Sequence, residues 1–234
     1  MIEDAKFRIE FERDVKDFEK VRQYIAVRLY DMGYLSSFPR ESYLARAFAG
    51  ELYSVIVFDL PQTISNVEPQ QAAPWGKTFD ELFDIGRLNV RTNYETKIET
   101  MDFGADGDIL YLCIADHPFA ANMLYDLEAH PLLVGPCGSL VAAPNRNTAL
   151  VYPFGNLDVV AMFRMLVGLV WDDYDNNPGM LTKEIYWYRN GVFTLLPYEL
   201  TKYKLKFRPS PEFSELLLEL AEKDCSPHPP HIEG

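Results

Sequence analysis

Cysteine is scarce in this chain. Its three residues, Cys113, Cys137 and Cys225, are odd in number and far apart, which argues against a disulfide framework and against a zinc ribbon or finger. Basic residues are also few: 22 Lys and Arg stand against 35 Asp and Glu, a net charge of −13. A phosphate backbone or an anionic lipid surface needs a positive face, so neither nucleic acid nor membrane is expected as a partner. A basic protein partner is compatible with that charge. No apolar run reaches the ~18–20 residues a bilayer demands. Met1–Phe11 carries no charged-then-apolar signal pattern, so a cytoplasmic protein is expected. G-x-S-x-G, the P-loop, G-x-G-x-x-G and H-E-x-x-H are all missing, which removes the hydrolases, nucleotide binders and zincins that those motifs mark. No cofactor is expected. No Ser/Gly- or Pro-rich linker divides the interior, so the expectation is one α+β domain over residues 1–225. Within it, 1–60 and 75–210 are candidate subdomains, and 226–234 reads as a disordered tail.

What the chain does have is concentrated between Gly138 and Pro197. Ser139–Ala143 and Ala149–Pro153 are apolar runs around Pro144-Asn145-Arg146-Asn147, residues suited to a tight turn. Glu184–Arg189 and Val192–Leu196 flank Asn190-Gly191, the strongest short-range hairpin signal, because both central residues of a type I′ turn need φ > 0. Between the two hairpins, Leu157–Trp171 holds only Asp158 and Arg164 as charges. It is expected to be a helix buried on all sides. The fold class is therefore α+β, an antiparallel or mixed sheet with helices packed on it and a hairpin–helix–hairpin unit towards the C-terminus.

Elsewhere, Lys6–Glu12 alternates Phe7, Ile9 and Phe11 with charge and reads as a strand. Asp14 opens an expected helix with Val15, Phe18, Val21, Ile25, Leu29 and Met32 at helical spacing, ended by Gly33. Ser42–Ala49 reads as a short helix, Tyr53–Leu60 as a buried strand and Pro61–Pro74 as a long loop. Thr78 and Glu81 form a capping box for a helix to about Arg91. Tyr94–Asp102 and Asp108–Ala115 read as strands paired around Asp106-Gly107, followed by a helix from Pro118 to about Glu128. Thr201–Phe207 reads as a strand, and Ser210-Pro211 starts an amphipathic helix.

The order of these elements becomes familiar at Trp75-Gly76, Leu82-Phe83 and Leu88-Asn89-Val90-Arg91. Leu140-Val-Ala-Ala-Pro-Asn-Arg-Asn147, the apolar helix and the aromatic strand ending in Asn190-Gly191 continue it. The run resembles the YtpQ-like family of bacterial proteins, a domain of unknown function, over about residues 52–197. The resemblance implies a bacterial cytoplasmic α+β protein. It brings no activity and no catalytic residues. Arg91 and Arg146 fall on the matched stretches without a role attached.

The sharpest motif is Asp173-Tyr-Asp175-Asn-Asn177 through Glu184, which sets oxygen ligands at positions one, three, five and twelve of a calcium-type loop. Position six is Pro178, locked near φ ≈ −65° where Gly is required, and a strand rather than a helix follows Glu184. A solvated acidic loop is therefore the plainer reading. Cys113 and His117 invite a nucleophile–base reading, but four residues of strand at ~3.3 Å each separate them by about 13 Å. Asp102-Phe103-Gly104 resembles a kinase metal-binding tripeptide without the companion motifs. His228 and His231 lie in the tail, too few for a firm metal site. Tyr186, Trp187 and Tyr188 are consecutive, so a strand must turn one ring to the opposite face from its neighbours. With Trp171, Tyr174 and the acidic loop they suggest an aromatic–acidic binding surface, and burial under a second layer is the competing reading.

Two functions follow. The first is a non-enzymatic binding protein that uses Trp171, Tyr174, Tyr186, Trp187 and Arg146 on a protein partner. The alternative is a divalent-metal-dependent hydrolase built on the acidic loop from Asp172 to Glu184, with Asp173, Asp175, Asn177 and Glu184 as ligands.

Overall fold

The computed structural model describes residues 2–103, 109–201 and 204–224. Its architecture is α+β, with antiparallel sheets and helices on their faces. The first sheet joins β1 (Ile25–Asp31), β2 (Leu44–Ala49), β3 (Leu52–Leu60) and β4 (Thr63–Asn66). β1 runs along one edge of β3, and β2 and β4 share the other edge. The second sheet has six strands: β5 (Lys97–Asp102), β6 (Ile109–Ile114), β7 (Ser139–Asn145), β8 (Thr148–Pro153), β9 (Ile185–Arg189) and β10 (Val192–Leu195), in the order β10-β9-β7-β8-β6-β5. β11 (Tyr198–Leu200) and β12 (Leu205–Phe207) form a separate pair. The long helices are α1 (Ile2–Asp14), α5 (Phe79–Asn93), α6 (Val159–Asn176) and α7 (Pro211–Asp224), and the one-turn helices are α2 (Phe18–Val21), α3 (Met32–Leu35) and α4 (Pro69–Ala72).

The hairpin–helix–hairpin unit forms as its turn chemistry dictates. Asn190 and Gly191 both take positive φ, 50° and 78°, as the two-residue turn requires. β9 pairs with β7, so the two hairpins become four adjacent strands and α6 crosses one face of them. Strand alternation then sorts the side chains. Leu140, Ala142, Ile185 and Trp187 join α6 and α7 in one core, while Val141, Ala143, Tyr186 and Tyr188 point into another. Leu29 and Leu52 of the first sheet enter this second core, so the two sheets share buried surface.

α6 corrects the expectation of a helix enclosed on all sides. Val159, Met162, Phe163, Leu166, Val167 and Val170 form one buried stripe, whereas Ala161, Arg164, Met165 and Gly168 are exposed. The solvent face is apolar largely because it uses small residues, which a composition reading cannot tell from a core face. The first hairpin turns at Arg146-Asn147, two residues later than expected at its start, because Pro144 and Asn145 belong to β7.

Several local readings were overridden by long-range packing. Lys6–Glu12 is helical, not a strand: Phe7 and Phe11, one turn apart, stack at 6.1 Å and both meet Tyr24, while Ile9 is exposed. The expected helix from Asp14 to Gly33 is instead α2, a 3-10 turn over Arg22–Tyr24 and β1. Ile25, Val27 and Leu29 satisfy a period of two as well as a helical spacing, and seven ladder pairs with β3 decide the matter. Ser42–Ala49 is not a helix either: it forms β2, joined to β3 through Gly50 at φ 51°. The Pro61–Pro74 segment holds β4, α4 and the start of a 3-10 turn over Ala73–Trp75. The segment after Pro118 makes 3-10 turns over Ala120–Tyr125 and Leu127–Ala129 in place of an α-helix. The Asp106-Gly107 turn and the 226–234 tail fall outside the described residues.

The capping box stands as read. The Thr78 hydroxyl accepts from the Glu81 amide at 3.2 Å, and Glu81 accepts from the Thr78 amide at 2.8 Å. Ser210 likewise caps α7, its Oγ accepting from the Phe213 amide at 3.3 Å.

Candidate functional site

The acidic segment from Asp172 to Asn176 is not a loop; it is the last turn of α6. The helix continues because nothing before Pro178 forbids it, and Asp, Tyr and Asn are tolerated near a helix end. Each carboxylate is already engaged. Asp172 accepts from Asn176 at 2.8 Å, and Asp173 accepts from Asn145 at 2.7 Å and from Asn177. Burial raises the Asp173 carboxyl above its ordinary range. Asp175 pairs with Lys183 at 2.7 Å. Glu184 accepts from the Glu51 amide at 2.9 Å and from the Tyr186 hydroxyl. Asp173 and Asn177 thus bond each other while Asp175 and Glu184 turn to other partners, and among the described residues no three His, Cys, Asp or Glu side chains converge as metal ligands.

The same turn of α6 brings other side chains together. The Lys183 ammonium lies 3.6 Å from the Trp171 ring centroid and 4.7 Å from that of Tyr174, with the Asp175 carboxylate on it. This is a cation–π cage closed by an anion, and the cation inside it belongs to the chain itself. Trp171 Nε1 donates to the Tyr198 hydroxyl at 2.9 Å, which donates to the Lys183 carbonyl at 2.6 Å. That relay fixes the Trp171 ring and ties β11 to the segment leading into β9. Burial raises the Tyr198 phenol, so it remains a donor at neutral pH. Beside the cage opens a cleft of about 330 Å³ lined by Glu51, Trp171, Lys183, Glu184, Tyr198 and Leu200, among others.

Of the residues expected to form an aromatic surface, the structure brings only Trp171 and Tyr174 to this site. Tyr186 and Trp187 are core residues, 0% and 5% exposed. Trp187 Nε1 donates to the Cys137 carbonyl at 2.9 Å, and the Tyr186 hydroxyl, whose proton goes to Glu184, lies 3.1 Å from the Ala49 carbonyl. Both faces of β9 are covered, which places these rings out of reach of a partner. Arg146 stands apart, in the β7–β8 turn, over the rings of Tyr30 and Tyr34 at 4.9 and 5.3 Å.

Cys113 is fully buried, and burial pushes its thiol up to about 12. The His117 ring is occupied by backbone: Nδ1 accepts from the Phe119 amide at 3.3 Å, and Nε2 lies 3.0 Å from the Glu95 carbonyl. Neither is arranged as nucleophile or base. Asp102 ends β5, and Phe103 packs beside the core. His228 and His231 lie outside the described residues.

Lys183 and Tyr198 were not singled out by the sequence. Lys183 reads as an ordinary loop residue before β9, and nothing local signals that it will fold back on α6. The only hint is the placement of Trp171 and Tyr174 three residues apart, one helical turn, beside acidic neighbours. No family model, curated protein or solved structure matches this chain. No helix among the described residues is long and apolar enough to cross a membrane.

Proposed function

We propose that this is a non-catalytic binding protein that takes a basic segment of another protein at the Trp171–Tyr174–Asp175 cage and its adjoining cleft. One observation carries the reading: the two rings and the carboxylate already hold an ammonium group, that of Lys183. A site that accommodates one lysine head has the chemistry to accept another, by exchange with Lys183 or beside it in the cleft against Glu51. The net charge of −13 favours encounter with a basic partner. Membership of the YtpQ-like family is part of the same proposal and adds no chemistry to it. A cytoplasmic setting belongs to the proposal as well.

The test uses tryptophan fluorescence. Trp75 and Trp187 are buried at 7% and 5% exposure, so Trp171 is the indole open to a ligand. A lysine-rich peptide should perturb Trp171 emission with an affinity that falls as salt rises, and a Trp171→Phe variant should lose the signal. An acidic peptide acting equally well, or no response at low salt, would refute the reading.

A further inference from the structure

The chain is rich in carboxylates, and several of its arginines pair with them. Arg13 meets Asp14, Arg22 meets Glu19, Arg46 meets Asp80, Arg87 meets Asp126 and Arg208 meets Glu199. Among the arginines with no such pair, two carry a buried Nε. Arg28, on β1, is more than nine-tenths buried, at 8% exposure, and its Nε has no hydrogen-bond partner. The Nε of Arg146 is buried and unpartnered in the same way. No ion pair to either is found among the described residues.

The two cations are neighbours. The Arg28 guanidinium lies 5.0 Å from the centroid of the Tyr30 ring, and that of Arg146 lies 4.9 Å from the same centroid. The Asp59 carboxylate acts on Arg28 only through space, and it accepts from the Tyr94 hydroxyl at 2.5 Å. Burial, reinforced by the charge of Arg146, lowers the Arg28 guanidinium to about 10, so it remains a cation at neutral pH. Burying an unpaired cation is costly, and placing a second beside it adds repulsion. Cation–π contact with one tyrosine offsets only part of this. What the arrangement lacks is an anion.

We propose that Arg28 and Arg146, set around Tyr30, are the two halves of an oxyanion site whose ligand is a phosphate group. Guanidinium forks match oxyanion edges with paired N–H donors. A carboxylate presents one such edge, whereas a tetrahedral phosphate presents two and can bridge two arginines. The site is open on one side: Arg146 is half-buried, and Tyr34, 5.3 Å from its guanidinium and stacked on Tyr30 at 5.2 Å, is 41% exposed. Arg146 is held in place by its backbone. Its amide donates to the Gly179 carbonyl at 2.9 Å, and its carbonyl accepts from the Ala121 amide at 3.2 Å. This site shares no side chain with the lysine cage and stands or falls independently of it.

Calorimetric titration of the full chain with inorganic phosphate, paired with thermal melts in phosphate and in chloride at matched ionic strength, tests it. Saturable heat is expected, with a melting temperature that rises with phosphate beyond the chloride control. Arg146→Met, at the half-buried position, should weaken phosphate binding about tenfold or more, the usual loss for a charged hydrogen-bonded pair. Arg28→Met should do the same while melting no lower than wild type without phosphate, since it removes a largely buried charge with no carboxylate on it. If Arg28→Met does not fold, Arg146→Met decides alone. Absence of heat in wild type, wild-type affinity in Arg146→Met, or an equal phosphate shift in all three proteins, the signature of general salt exclusion, would overturn the proposal.

Discussion

Lys183 fills a space that would otherwise be offered to a cation from outside. Its ammonium is held by two rings and one carboxylate, yet its side chain keeps 26% of its surface and Asp175 keeps 53%. A pair that exposed contributes about 0–1 kcal/mol, and the cation–π contacts add about 0.5–2 kcal/mol. Replacement by methionine, which keeps the stem and removes the charge, should therefore cost little in stability. It should also leave the Trp171–Tyr174–Asp175 cage empty and negatively charged. We expect Lys183→Met to bind a lysine-rich peptide more tightly than wild type, read from Trp171 emission. Weaker or unchanged binding would mean that Lys183 belongs to the recognition surface and is not its internal competitor.

At the scale of elements, α5 lies tightly against the first sheet. A Cβ built on Gly86 would lie 2.7 Å from the Ala26 carbonyl carbon and 2.7 Å from the Val27 nitrogen, both backbone atoms of β1 that cannot swing aside. Gly86→Ala improves helix propensity, but it must push α5 off the sheet. Overpacking of about 1–3 kcal/mol should outweigh the propensity gain of up to about 1 kcal/mol, so urea unfolding should show a net loss of stability. A midpoint at or above wild type would show that α5 can slide. This contact also marks where sequence reading stops. Asn190-Gly191 and the Thr78–Glu81 box were legible because the residues that need each other are two or three positions apart. β1 was not legible, since Ile25–Asp31 fits two periods and becomes a strand only through its ladder with Leu52–Phe58. Phe7, Ile9 and Phe11 misled for the opposite reason: an i,i+4 pair happened to sit inside an alternating run. The lysine cage was half legible. Trp171 and Tyr174 lie on one helical face, but Lys183 returns to them from beyond Pro178, and no local rule encodes that return. Arg28 and Tyr30 share a strand face two residues apart, but Arg146 joins them only through the fold.

Over the whole molecule, the excess of carboxylates sets how stability responds to its surroundings. At neutral pH a charge of −13 works against the compact state. The ion pairs on the surface are individually weak, so screening should remove more repulsion than attraction, and the melting temperature should rise as NaCl is added. The pH limits follow from groups whose titration differs between folded and unfolded chain. Asp14 is held at about 2 by its hydrogen bonds from Arg13 and Lys20, and Glu81 at about 2 chiefly by the Thr78 amide. Their folded values lie below the unfolded range of about 4, so their contribution is present above that range and is lost as pH falls towards about 2. The buried phenols act at the other end. Burial raises Tyr94 and Tyr188 to about 12 and displaces Tyr125 and Tyr186 upward as well. The unfolded chain therefore releases these protons first, as it does that of the Cys113 thiol, held at about 12 in the fold, and stability falls as pH rises beyond about 8.5. Arg28 opposes this trend, since its lowered value means the folded chain gives up that proton before the unfolded one does, but it is one group against several. Thermal melts across pH should thus show a plateau that breaks below about 4 and above about 8.5. Replacing Tyr186 by phenylalanine should shallow the alkaline limb and leave the acid limb where it is. An alkaline limb unchanged by Tyr186→Phe would show that the phenol is exposed to solvent before the fold opens.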